Sequence, residues 1–87
     1  MSMEEIQKAI SRLKTQVDAL NAGQADVKKK VHRLIRDLER QLENPDNMDQ
    51  GHMIGQIETA VTSLETEHPA ITGILNGIAT TLSNMGI

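Results

Sequence analysis

Residues 54–85 read IGQIETAVTSLETEHPAITGILNGIATTLSNM, and in this stretch Ile54, Ile57, Val61, Leu64, Ile71, Leu75, Ile78, Leu82 and Met85 recur at alternating steps of three and four. His68 fills the one missing beat. Side chains at that spacing fall on one stripe of an α-helix, the seam along which helices pack. The rhythm passes through His68-Pro69 without losing phase, which predicts a long third helix bent near Pro69. Pro69 as the first residue of a separate fourth helix is the alternative, because proline costs ~3 kcal/mol inside a helix and very little at its start.

Working back from this stretch, Asn44-Pro45-Asp46-Asn47 is the clearest break in the chain. Proline disfavours helical geometry in the residue before it, and the polar cluster suits a turn. Asn47 or Asp49 can cap the helix that follows, and Gly86 is placed to stop it near the C-terminus. Upstream, Val27, Val31, Leu34, Leu38 and Leu42 mark a second helix over residues 25–43. Ser2 and Glu5 match a capping box, and Ile6, Ile10, Leu13, Val17 and Leu20 mark a first helix over residues 3–21. Asn21-Ala22-Gly23 reads as a helix end with Gly23 supplying a left-handed residue, although the two stripes share phase and one helix from Ser2 to Glu43 stays open. No stretch alternates in the manner of a strand, so the expected class is all-α. The expected architecture is a helical hairpin packed on the long, kinked C-terminal helix, three to four helices with coiled-coil-like seams in a single domain spanning 1–87.

Composition narrows the means of stabilisation. The 87 residues include no Phe, Tyr, Trp or Cys, so the core is aliphatic, with neither a disulfide nor a thiolate zinc site to staple it. Chains of this size bury a modest share of their surface, and self-association is a common remedy. The charge is uneven. All nine Lys and Arg lie in residues 1–43 with seven acids, whereas residues 44–87 hold five acids and no base. Pro69 to Ile87 carries no charged side chain, and a helix without charge on any face is normally covered on more than one side. The acidic N-terminal residues have neither the basic patch nor the apolar run of a signal peptide, and Asn76, Ser83, Asn84 and the threonines argue against a membrane span.

Chemistry-bearing constellations are sparse. With the apolar stripe of helix two turned inward, Lys29, Arg33, Arg36 and Arg40 line its outward face and could track phosphates of nucleic acid or anionic lipid. Acids on the same helix, the acidic net charge of −3 and the lack of stacking aromatics favour a merely solvated face. Glu65 and His68 have the i, i+3 spacing of di-metal carboxylate bundles, but such sites need a second pair and two further Glu, so no metal or other cofactor is expected. His32 and His52 stand alone, no nucleophile turn or phosphate loop is present, and no catalysis is expected. Gly73 and Gly77 form a G-x-x-x-G pair beside Ala70, Thr80, Thr81 and Asn84, a small-residue strip on which another backbone can approach closely. The expected activity is therefore association. Ile71, Gly73, Leu75, Gly77, Ile78 and Leu82 are the expected contacts of a homo-oligomer, with a dimer the expected form.

Leu64-Glu65-Thr66-Glu67-His68-Pro69 and the closing Leu82-Ser83-Asn84-Met85-Gly86-Ile87 carry a family resemblance. The chain resembles a bacterial domain-of-unknown-function family of short helical proteins, DUF4404, whose members end in a similar Glu-His-Pro and Gly-Ile signature. The likeness in length and helical layout runs over nearly the whole chain, with Leu34, Asp37 and Leu38 fitting loosely. This chain departs from the pattern at Leu64, where an aromatic is common, and around Gly23, where other members are more acidic. The resemblance implies a bacterial, cytoplasmic, helical protein and transfers no catalytic or binding residue.

Overall fold

Helix α1 spans Ser2–Asp18, a 3-10 turn covers Ala22–Gln24, and α2 (Ala25–Glu43), α3 (Gln50–Leu64) and α4 (Pro69–Met85) follow in a computed structural model. It describes residues 2–44, 46 and 48–85, apart from the side chains of residues 2, 22 and 85. Among the described residues there is no strand, so the all-α expectation holds. Each helix packs on its neighbours around a ring: α1 against α2 and α4, α3 against α2 and α4. The diagonal pairs stay apart. Short connections between helices that touch make them antiparallel, which is the topology of an up-and-down four-helix bundle.

The stripes read from the sequence form the centre of this bundle. Ile6, Ile10, Leu13 and Val17 of α1, Val31, Leu34, Ile35 and Leu38 of α2, and Met53, Ile57 and Leu64 of α3 are buried. They meet Ile71, Leu75, Ile78 and Leu82 of α4, which are at most 2% exposed. The packing of α4 on α1 and on α3 is the most extensive in the bundle. That double cover is the physical reason a helix with no charged residue is stable in water.

The bent rod is the expectation that changes. A rod from Gln50 to Met85 would be ~54 Å long at the helical rise, whereas the molecule measures 39 × 21 × 20 Å. The chain instead ends α3 at Leu64 and begins a fourth helix at Pro69. Pro69 has no N–H to continue the α3 ladder, and it disfavours helical geometry at His68. The backbone N–H of His68 donates to the Leu64 carbonyl at 2.8 Å, and the His68 carbonyl then accepts the first bond of α4, from Thr72 N at 3.0 Å. The Thr72 hydroxyl donates to the Pro69 carbonyl at 3.0 Å. Four connecting residues equal about one helical turn, so the three-four rhythm survives while the chain reverses direction.

The first connection is a break too, but not by the expected device. α1 stops at Asp18 and not near Asn21, and among the described residues no glycine has a positive φ. Gly23 is therefore not a left-handed cap. The Asn21 side chain accepts from Gly23 N at 3.0 Å and its carbonyl accepts from Gln24 N at 3.0 Å, an Asx-type turn that outcompetes another turn of α1. At the second connection, α2 ends at Glu43 as expected, and Asp49 caps α3 by accepting from His52 N at 3.0 Å. The Ser2 side chain, expected to cap α1, and the residues Asn47 and Gly86 lie outside what the structure describes.

Two substitutions test this arrangement by urea unfolding. Pro69→Ala is expected to change stability by less than ~1 kcal/mol, because the first helical position leaves its N–H unpaired in any case; a gain of ~3 kcal/mol would indicate a proline inside a continuous rod. Leu75→Ala is expected to cost ~2–5 kcal/mol, as a fully buried leucine truncated at the centre of the bundle.

Candidate interaction surface

The six residues expected at an interface separate into two groups. Ile71, Leu75, Ile78 and Leu82 point into the subunit's own core and are covered there. The lack of charge that suggested a partner is accounted for, on that side of α4, by α1 and α3. Gly73 and Gly77 are exposed. A Cβ built on either would have no neighbour within 4 Å, so nothing inside the subunit uses the missing side chains.

These glycines line an open groove between α4 and α1, about 480 Å³ in volume. Pro69, Ala70, Gly73, Ile74, Gly77 and Thr81 form its α4 wall, and Glu5, Ala9 and Arg12 its α1 wall. Thr81 is half-buried, and its hydroxyl donates to the Gly77 carbonyl at 3.0 Å, while Thr80 does the same to Asn76. These bonds satisfy the hydroxyls locally and leave methyl groups and backbone as the surface of the α4 wall. The α1 wall was not foreseen from the sequence. Its signal was present in the i, i+4, i+7 spacing of Glu5, Ala9 and Arg12 beside the main stripe of α1.

On the opposite side of the bundle, Lys29, Arg33, Arg36 and Arg40 are all exposed. At 100° per residue they fall within ~60° of one another on the helical wheel, opposite the buried stripe. None of the four makes an ion pair among the described residues, where the pairs are Lys14 with Glu39 at 2.8 Å and His32 with Asp18 at 3.5 Å. Arg33 also borders a second groove of about 340 Å³ between α2 and α3, with Val31, Leu34, Ala60 and Leu64 in its lining. There Gln56 Nε2 donates to Asp37 at 3.3 Å, and Gln56 Oε1 is buried without a partner.

Glu65 and His68 differ in their surroundings. Glu65 is exposed at the end of α3, whereas His68 is 8% exposed in the α3–α4 connection with Nε2 buried and unpaired. Among the described residues no three His, Asp or Glu side chains converge as metal ligands. His32 and His52 are exposed.

A family model for a domain of unknown function matches residues 6–87, nearly the entire chain. The chain belongs to the DUF4404 family. No curated protein and no solved structure matches it. Membership in DUF4404 agrees with the family resemblance read from the sequence and supplies no activity to transfer. Among the described residues of this DUF4404 chain, no helix is long and apolar enough to cross a membrane.

The open space around the glycines has a measurable consequence. Gly73→Ala is expected to raise the stability of the isolated subunit by up to ~1 kcal/mol, read from urea unfolding in dilute solution, because alanine adds helix propensity without a clash. A loss of stability would mean that the Cβ meets something in the subunit.

Proposed function

We propose that this protein is an interaction module that works by self-association through the outer face shared by α1 and α4, with no catalytic step. The observation that carries this reading is the pair of exposed glycines, Gly73 and Gly77, four residues apart on a charge-free helix. Each glycine weakens an isolated helix by ~1 kcal/mol relative to alanine. Nothing within the subunit compensates, whereas a second backbone packed against the strip would gain close contact along both positions. The interface is built from the flank of α4, not from its apolar seam. A homodimer acting in the cytoplasm of a bacterium is part of the same proposal.

The test is the mass of the protein in solution. Wild type is expected to sediment as a dimer, and Gly77→Leu as a single chain with unchanged helical content, since the new side chain enters open space in the subunit but blocks the approach of a copy. An unchanged oligomeric mass for Gly77→Leu removes this surface from consideration.

A second reading is favoured by the four exposed cations of α2 that no acid neutralises among the described residues. Lys29, Arg33, Arg36 and Arg40 would then engage the phosphates of nucleic acid or of an anionic membrane. Such binding would weaken steeply as salt is added. Retention on a DNA column at low salt that is lost on substituting Arg33 and Arg36 by Gln supports it, and no retention at low salt excludes nucleic acid as the partner.

A further inference from the structure

The walls of the α1–α4 groove carry a charge pattern that selects one mode of pairing. Glu5 and Arg12 are both exposed, both line the groove, and neither makes an ion pair among the described residues. They lie seven residues apart on α1, two turns or ~10 Å along its axis, with buried Ala9 between them. On the α4 wall there is no charge to pair with either.

We infer that the occupant of this groove is a second copy of the chain, related by a two-fold axis that lies in the plane of contact, perpendicular to the helices, and crosses α1 at Ala9 and α4 midway between Gly73 and Gly77. Such an axis sets α1 antiparallel to α1 of the copy and α4 antiparallel to α4 of the copy. In a two-fold contact, if one residue meets another, the reverse contact also forms. Glu5 of each subunit then faces Arg12 of the other, so one register produces two ion pairs from a single acid and a single base. The same axis brings Gly73 opposite Gly77 of the copy, where the absent side chains let the two α4 backbones approach. Ala9, the smallest side chain among the buried residues of α1, sits at the centre, where the α1 helices come closest. A parallel arrangement would instead set Glu5 against Glu5 and Arg12 against Arg12, and like charges in apposition disfavour it. The ion pairs set the register, while the apolar strip supplies the contact.

This inference rests on the self-association reading, and charge reversal separates the two. Sedimentation equilibrium would be run on the full chain for wild type, Glu5→Arg, Arg12→Glu, the double variant and Gly77→Leu, with circular dichroism to verify that each is folded. Glu5→Arg and Arg12→Glu are each expected to weaken association ~10-fold or more, because each converts two attractive pairs into two repulsive ones. The double variant restores both pairs with signs exchanged and is expected to return to within ~3-fold of wild type. Both positions are exposed on α1, so the variants leave the core intact. If Gly77→Leu dissociates the protein while the charge reversals leave it unchanged, or if the double variant is as weak as the single ones, the two-fold register is wrong and the association surface stands. If Gly77→Leu has no effect, or wild type is a single chain at high concentration, surface and register fall together.

Discussion

Burial of the α4 seam between α1 and α3 is the constraint from which the other features of this molecule follow. Ile71, Leu75, Ile78 and Leu82 belong to a helix that has no charged residue to keep it in water, and all four are closed off inside a single chain. Full burial of an aliphatic side chain contributes ~1.5–3 kcal/mol. With no aromatic residue, disulfide or thiolate metal site available, this repeated contribution is what holds an 87-residue chain together. It also dictates the reversal at Pro69, since only a chain that doubles back there can press α4 against α3 while α1 covers it from the other side.

The same burial determines what is left for function. Once the seam is consumed internally, the outward flank of α4 offers glycine, alanine and threonine methyl surface, and the adjacent flank of α1 offers one acid and one base. Apart from Ile74, the α4 wall presents no large side chain. It can bind through close approach of backbones, with charge to choose the register. The cationic face of α2 lies away from it, and the two faces are chemically independent.

Much of the fold was legible because its determinants are local. Helix α2 runs over residues 25–43 as its stripe and the Asn44-Pro45 break predict, and α3 is capped by Asp49, one of the two residues, with Asn47, that the sequence offers for it. Two determinants were not legible. At Asn21 the choice between a left-handed glycine and a side-chain turn depends on a hydrogen bond only ~3 Å long, and the residue types Asn-Ala-Gly are compatible with either. At Pro69 a connection of one helical turn preserves the phase of the apolar stripe whether the chain bends or reverses, so periodicity carries no information about direction. The candidate surface was legible only as far as Gly73 and Gly77. Periodicity shows that a stripe is buried but does not say whether the cover comes from the same chain or from another, and for that reason the seam residues were expected in an interface and lie in the core.

Native-state hydrogen exchange across a dilution series distinguishes an α4 seam covered by its own chain from one covered by a second chain. If one chain covers the α4 seam by itself, the amides of residues 74–82 exchange only through global unfolding and stay protected at concentrations where the protein is a single subunit. Protection of α4 that disappears on dilution while α2 remains protected would mean that the seam owes its cover to another molecule and not to α1 and α3 of its own chain.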